Sequence, residues 1–444
     1  MLLGRLSRAL DQQPRTRRPS GKHRESSTLE LAAEHGRRGA FVSCRVWLRF
    51  AYNGTGRRVV KDGPHIQDYL PWTPSMNVAI DDQIDRSGLV IDRYRSTGSS
   101  DRSIDIDIES INRIDQIDWS IDFEACVKVN AVGLNPTDWK HIDFGLTQPG
   151  SRIGCDYAGI VEEVGPKVTK SFKKGDRISG VVHGADVTQL ENGGFAEYIV
   201  AKGDVQIKTP DNVTDEEAAT LGISIATVGQ GLYKTLGLPL PTEGKKSDEF
   251  ILIHGGSTAT GIYGIQFAKL SGLRVIATAS PHNFDYLKSL GAEAVFDYKS
   301  PNVAEEIRKY TNNTLKLAWD CTAQDVAISA GAISTEGGKY ATLLPVDKQQ
   351  LLDVNPKVDG PYVTLMYSIF GERFFKGQET PAQPEEFEFA KRFWEISRQL
   401  LEEGKVKAPQ TFVNRGGSGF EGILKGLDEL RANKVSGGKL VYTL

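Results

Sequence analysis

The chain has 444 residues, 39% hydrophobic and 25% charged, a balance that suits a globular protein with room for two ordinary domains. Its 54 Lys and Arg against 57 Asp and Glu leave a formal charge of −3, which excludes a basic field for nucleic acid. No run approaches the roughly 18 consecutive apolar residues of a membrane span.

Four cysteines, Cys44, Cys126, Cys155 and Cys321, lack C-x-x-C spacing, so neither a disulfide framework nor a zinc knuckle is expected. A reducing, cytoplasmic setting is. Residues 1–124 read as an irregular low-complexity region. Residues 1–40 have the Arg- and Ser-rich texture of an organelle transit peptide, but Asp11, Glu25, Glu30 and Glu34 count against it. Ile-Asp recurs eight times between residues 80 and 122. Strict alternation over 104–108 fits a half-buried strand. The dipeptide is also what the self-complementary run ATCGAT encodes, so this stretch is expected to be a gene-model artefact. No functional residue is sought before residue 125.

From there the texture is that of a folded enzyme. "ACVKVNAVGLNP" (125–136) and "CDYAGIVEEVG" (155–165) alternate apolar and polar residues, "KKGDRISGVV" (173–182) sets a Gly-Asp turn before a strand, and "GGFAEYIVAKGD" (193–204) adds another. Residues 125–208 therefore predict an antiparallel, barrel-like unit. Thr214 with Glu217 three residues on is a capping-box start for a helix. Strands then read at 250–254, 274–279, 294–297, 315–320 and 339–344, with helices such as 262–270 and 283–290 between them. Apolar strands alternating with helices predict a parallel sheet covered on both faces. From 374 a helix and closing strands are expected to return to the first unit.

"ILIHGGSTATG" (251–261) carries a strand into a glycine turn and out into a helix. Gly255 and Gly256 permit close backbone approach, and the helix N-terminus attracts a pyrophosphate. Ser257, Thr258 and Thr260 stand where a G-x-G-x-x-G turn carries other residues, and their hydroxyls are able to donate to phosphate; simple helix capping is the alternative. An NAD site presents an acid about 20 residues on. "SPHNFD" (280–285) offers Ser280, His282 and Asn283 instead, which favours NADP(H), unless Ser280 and Asn283 serve only to cap the next helix.

Together "VNAVGLNPTDWK" (129–140), "GCDYAGIVEEVG" (154–165), "GDRI" (175–178), "GGFAEY" (193–198), "HGGSTATG" (254–261) and "LKSLGAEAVFDY" (287–298) resemble the zinc-independent medium-chain dehydrogenase/reductase superfamily. With "LGLPLP" (236–241) they are similar to the trans-acting enoyl reductases of fungal polyketide synthases and hybrid polyketide–peptide synthases. The resemblance implies an α/β protein: a GroES-like antiparallel barrel catalytic domain over 125–225, a Rossmann-type NADP-binding domain over 226–373, and a returning segment over 374–444. It also implies opening barrel strands that nothing in residues 80–124 matches, which predicts exposed edges.

The zinc branch needs a Cys near Asn135 or Pro136 and a His-Glu pair at Cys155-Asp156, so no metal is expected; His141 and Cys155 read as packing or surface residues. Hydride addition must then create a charge that protein donors or conjugation stabilise, and an α,β-unsaturated thioester fits. By resemblance Thr137, Asp138, Trp139 and Lys140 lie by the cofactor, with Lys140 near the nicotinamide, or alternatively in a surface ion pair. Thr227 is the second catalytic candidate, or else a helix-packing hydroxyl. Ser257, Thr258, Ala259 and Thr260 would hold pyrophosphate. Ser280, Pro281, His282 and Asn283 would hold the 2′-phosphate, and Tyr298 the adenosine, unless it is a core residue. Leu343, Leu344, Val435 and Ser436 would border the nicotinamide. Gly229, Gln230, Gly231, Leu232, Tyr233, Lys234, Thr235 and Leu236, with Met366, Tyr367, Ser368, Ile369 and Phe370, would line the acyl pocket. For Gly229 and Gly231 close helix packing is the alternative.

No His, Cys or Tyr acid stands out, which leaves solvent as proton donor. The implied partner is a synthase acyl carrier protein with its tethered acyl chain, and a monomer is expected. Two other functions fit the same sequence: a free-standing quinone or enone reductase, and a non-catalytic cofactor-binding protein.

Overall fold

The structure is a computed structural model and describes residues 90–96, 102–107 and 124–444, except 245. Most of the Ile-Asp repeat and the whole Arg- and Ser-rich stretch lie outside the described residues. Val90–Ser96 and Arg102–Asp107 pair antiparallel, so residues 104–107 are extended, as their alternation predicts.

Alternation from residue 124 produces a barrel sheet. Glu124–Gly133 lies at its centre, antiparallel to Asp156–Val164, Tyr198–Lys202 and Gly438–Thr443. Arg177–Val181 and Gln206–Lys208 extend it on one side, and Gln410–Val413 on the other, parallel to Gly438–Thr443. Inward residues Val127, Val132, Tyr157, Val161, Ile178 and Ile199 fill its core.

The second sheet is parallel, ordered Ala294–Asp297, Arg274–Ala279, Phe250–His254, Leu317–Asp320, Gly338–Thr342, Val358–Val363. This is the doubly wound order whose ligands bind at the carboxyl ends of the strands. The sixth strand was not legible because "DGPY" reads as a turn. It is an edge strand, where Pro361 needs no ladder N–H.

One core joins the two sheets, from Cys155, Ala158 and Val181 to Ile251, Ile253 and Trp319. The chain crosses between them in a broken helix. Thr214 and Glu217 form the capping box, yet the helix ends at Ala218 and restarts as Gly222–Val228. Asp156 of the barrel decides the restart: its Oδ1 accepts from Ile223 N (2.7 Å), and a Cβ on Gly222 would stand 2.4 Å from the same oxygen. Among the described residues no helix is long and apolar enough to cross a membrane.

Candidate active site

The dinucleotide turn is strapped to the second strand. Gly255 N–H donates to Thr278 Oγ1 (3.1 Å) and Gly256 N–H to Thr278 O (2.9 Å). Gly255 has φ +76°, and a Cβ there would meet Thr322 Cγ2 at 2.5 Å, so glycine is required. Thr258 caps the helix Ala259–Leu270: its hydroxyl donates to Gly255 O (2.8 Å) and accepts from Gly261 N–H (3.0 Å). Its proton is therefore committed inside the turn, which leaves Ser257, Thr260 and the free backbone N–H groups of Ala259 and Thr260 to meet an anion.

Every other cofactor candidate of this sheet follows the carboxyl end of one of its strands. Ser280 follows the second strand, and its carbonyl accepts from Asn283 N–H across the turn of Pro281–Asn283. Pro281 and His282 are exposed, whereas Asn283 is buried and donates from Nδ2 to Ser436 Oγ (3.0 Å). Gly437 N–H donates to Ser257 O (3.1 Å). The Val435-Ser436 stretch thus sits against Ser257 and Asn283, a contact hidden by a 153-residue separation. Tyr298 is 41% exposed, so it is no core residue, and the ammonium of Lys299 lies 5.8 Å from its ring. Leu343 N–H donates to Asp320 O (3.2 Å), which sets Leu343 and the exposed Leu344 on the same rim.

The helix Pro136–Asp143 leaves the barrel with its four candidates pointing different ways. Asp138 is buried and accepts from Asn135 N–H (2.7 Å) through Oδ2, pinning the helix start; burial, the largest cause, pushes its carboxyl up to about 7. Trp139 packs against the barrel core, edge-on to Phe144. Lys140 is half-buried without a carboxylate partner among the described residues, so it is in no surface ion pair, and burial lowers its pKa. Thr137 Oγ1 lies 2.7 Å from the hydroxyl of Tyr367, on the turn Met366–Phe370 that follows the sixth strand. That bond joins the barrel helix to the segment expected to hold the acyl chain.

Around Tyr367 stand groups the sequence did not single out. His183 is stacked on Phe370 and its ring centroid is 4.6 Å from that of Tyr367; its Nδ1 lies 3.2 Å from Asp186 Oδ2. His141, read as packing, is buried with Nδ1 2.6 Å from Thr137 O. The ammonium of Lys376 lies 4.3 Å from the Tyr367 ring centroid. Their scatter along the chain, with no motif spacing, left no signal.

Two sets of candidates meet the packing alternative. Thr227 donates its hydroxyl proton to Ile223 O (2.6 Å), one turn back, the bond of a helix-packing hydroxyl. In Gly229–Leu236 the glycines are closely packed. A Cβ on Gly229 would stand 2.7 Å from Phe393, and one on Gly231 2.5 Å from Trp319. Leu232, Tyr233 and Leu236 are core, and Gln230 and Lys234 hold Glu386. The small residues admit rings of neighbouring elements.

Residues 122–211 match the alcohol dehydrogenase GroES-like domain, and 259–379 the family described as zinc-binding dehydrogenase. The chain is 44% identical over 321 residues to the trans-enoyl reductase ACTTS2 of Alternaria alternata, covering 72% of this chain and 91% of that protein. The solved CurK enoyl reductase shares the fold at a TM-score of 0.60 and 21% identity, covering 80% of this chain and 98% of that one. Mycobacterial Rv1454c, complexed with NADPH, does so at 0.54 and 23%, over 72% and 92%.

The zinc in that family description does not fit here. Lys439 Nζ is ion-paired with Asp156 and donates to Asn135 Oδ1 (2.8 Å), so a buried cation already stands between the positions that would ligate a metal. Among the described residues no three His, Cys, Asp or Glu converge to hold an ion. Fold, glycine turn and sequence identity agree: the chain is an oxidoreductase and belongs to the trans-enoyl reductases of the medium-chain dehydrogenase/reductase superfamily.

Proposed function

We propose that the chain is an NADPH-dependent enoyl reductase acting in trans on α,β-unsaturated acyl thioesters, tethered to the acyl carrier protein of a polyketide or hybrid synthase in secondary-metabolite biosynthesis. The Thr137–Tyr367 hydrogen bond carries this reading, because it closes the barrel helix over the rim where the parallel strands end. When bound, a reduced nicotinamide supplies the hydride: a C–H bond forms at the β-carbon, the cofactor is oxidised, and charge passes to the thioester oxygen until a proton reaches the α-carbon.

Backbone N–H groups at the start of the helix Ala259–Leu270 would hold the pyrophosphate, with Ser257 and Thr260 beside them. Ser280 and Asn283 would accept a 2′-phosphate, since no carboxylate there repels it and Ser436 fixes the Asn283 amide. Lys140, which has no carboxylate partner among the described residues, would supply positive charge on the barrel side.

The test follows NADPH absorbance with an α,β-unsaturated acyl thioester. Turnover much faster than with NADH is expected. Ser280→Asp should weaken NADPH at least about tenfold, roughly 1.4 kcal/mol of lost binding, and leave NADH nearly unchanged. A cofactor-bound protein that ignores the thioester but reduces quinones is instead a free-standing reductase.

A further inference from the structure

Lys376 sits on the turn between the short strands Phe374–Phe375 and Glu379–Thr380, with its N–H donating to Gln378 O (3.1 Å). Its side chain runs inward. Nζ is buried and has no hydrogen-bond partner among the described residues, which leaves three N–H donors unsatisfied above the Tyr367 ring. Such a group costs stability unless a ligand or water completes it.

The walls of this spot are also incomplete. His141 Nδ1 donates to Thr137 O and His183 Nδ1 to Asp186, so in both rings Nε2 is left with a lone pair; both Nε2 atoms are buried and have no hydrogen-bond partner among the described residues. The two histidines are 5% and 7% exposed, which places them in a made site and not on a wet surface. Burial first, then the charge of Lys376, holds both imidazoles below their ordinary value, so they are neutral. Cys155 faces the same spot as a neutral thiol, pushed up by burial, and Asp186 is the carboxylate there. Cys155 and Asp186 attract the ammonium through space, but among the described residues no acceptor lies within hydrogen-bond reach of Nζ.

We propose that Lys376 is a catalytic residue of the enoyl reduction: its ammonium donates a hydrogen bond to the thioester oxygen as negative charge collects there, between Tyr367, His141 and His183. No proton leaves Nζ in this step, and the N–H dipole is aimed before the charge develops. A fixed donor in a dry pocket stabilises that charge more than water does. This rests on the enoyl-reductase reading and gives its oxygen a place. Burial, opposed by Cys155 and Asp186, lowers the Lys376 ammonium to about 8, so the donor cation is lost as pH rises through that value.

The test compares the wild type with Lys376→Met and Lys376→Arg. Turnover is measured with an α,β-unsaturated acyl thioester. Binding is measured on the NADP⁺-loaded protein with hexanoate, whose carboxylate presents an oxyanion to the same ammonium. Lys376→Met should lower kcat by about 10²–10³-fold, with KM within about threefold and NADPH affinity unchanged. Lys376→Arg should keep part of the rate and carry the high-pH limb, near 8 in the wild type, beyond the measured range. A Lys376→Met kcat within about threefold of wild type overturns the assignment. If the wild type turns over no thioester, hexanoate decides: binding that weakens at least about tenfold in Lys376→Met keeps the anion site while the enoyl-reductase reading fails. Binding absent from the wild type, or equal in the two proteins, overturns the site as well.

Discussion

Asp138 shows how a residue in a recognisable motif takes a role the motif does not state. The "PTDWK" run placed it by a cofactor, but its Oδ2 accepts from Asn135 N–H in a buried position beside the Cys155 thiol. With the carboxyl pushed up to about 7, the folded chain keeps a proton that the unfolded chain, near its ordinary value, has released. Stability from this group is therefore full at low pH and is lost as pH rises to about 7. Asp138→Asn, which still accepts from Asn135, should raise the urea midpoint over wild type at about pH 8 and leave it unchanged at about pH 4. An advantage independent of pH would show that the carboxyl is not the cause. Thr137 and Lys140, one helical turn apart, stood out as candidates because the run resembles a family. Lys376 and His183 were not, since their meaning comes only from Tyr367 lying between them.

Elements were legible where one physical signal governs. The strands 250–254 and 274–279 were read to the residue because their apolar runs are bounded by Gly and by polar turns. The segment Gly229–Thr235 stayed ambiguous in the sequence because glycines fit two purposes, room for a ligand and room for a neighbouring ring, and the neighbours Phe393 and Trp319 appear only in the fold. Gly231→Ala forces a methyl into the Trp319 ring and should cost about 1–3 kcal/mol in unfolding. It should leave the relative rates on short and long acyl thioesters unchanged. Retained stability with a shifted chain-length preference would restore the acyl-pocket reading.

Across the molecule, the Lys439–Asp156 pair ties the last strand to the barrel and to the helix that enters the parallel sheet. Lys439 Nζ also donates to Thr220 O (3.3 Å), and Asp156 Oδ1 caps the restarted helix. The side chains are 2% and 0% exposed, so removing one partner strands the other in a dry site. Lys439→Met should destabilise the chain by about 3–5 kcal/mol, whereas the double variant with Asp156→Asn should lose less than the two singles summed. Additive losses, read from denaturant midpoints, would show that the two groups act independently. What the sequence by itself determined is the local part: alternation for the barrel strands, apolar runs and helices for the parallel sheet, a glycine turn, and a second strand ending without a carboxylate. Those signals need only neighbours along the chain. The tertiary structure alone decided that Val435-Ser436 meets Ser257 and Asn283, that Gly229 and Gly231 pack against Phe393 and Trp319, that a lysine stands where a zinc ligand set would, and that Tyr367 gathers two imidazoles and an ammonium. Each is a contact between residues far apart in the chain, and whether a polar side chain is satisfied or left waiting for a ligand depends on what folding brings beside it.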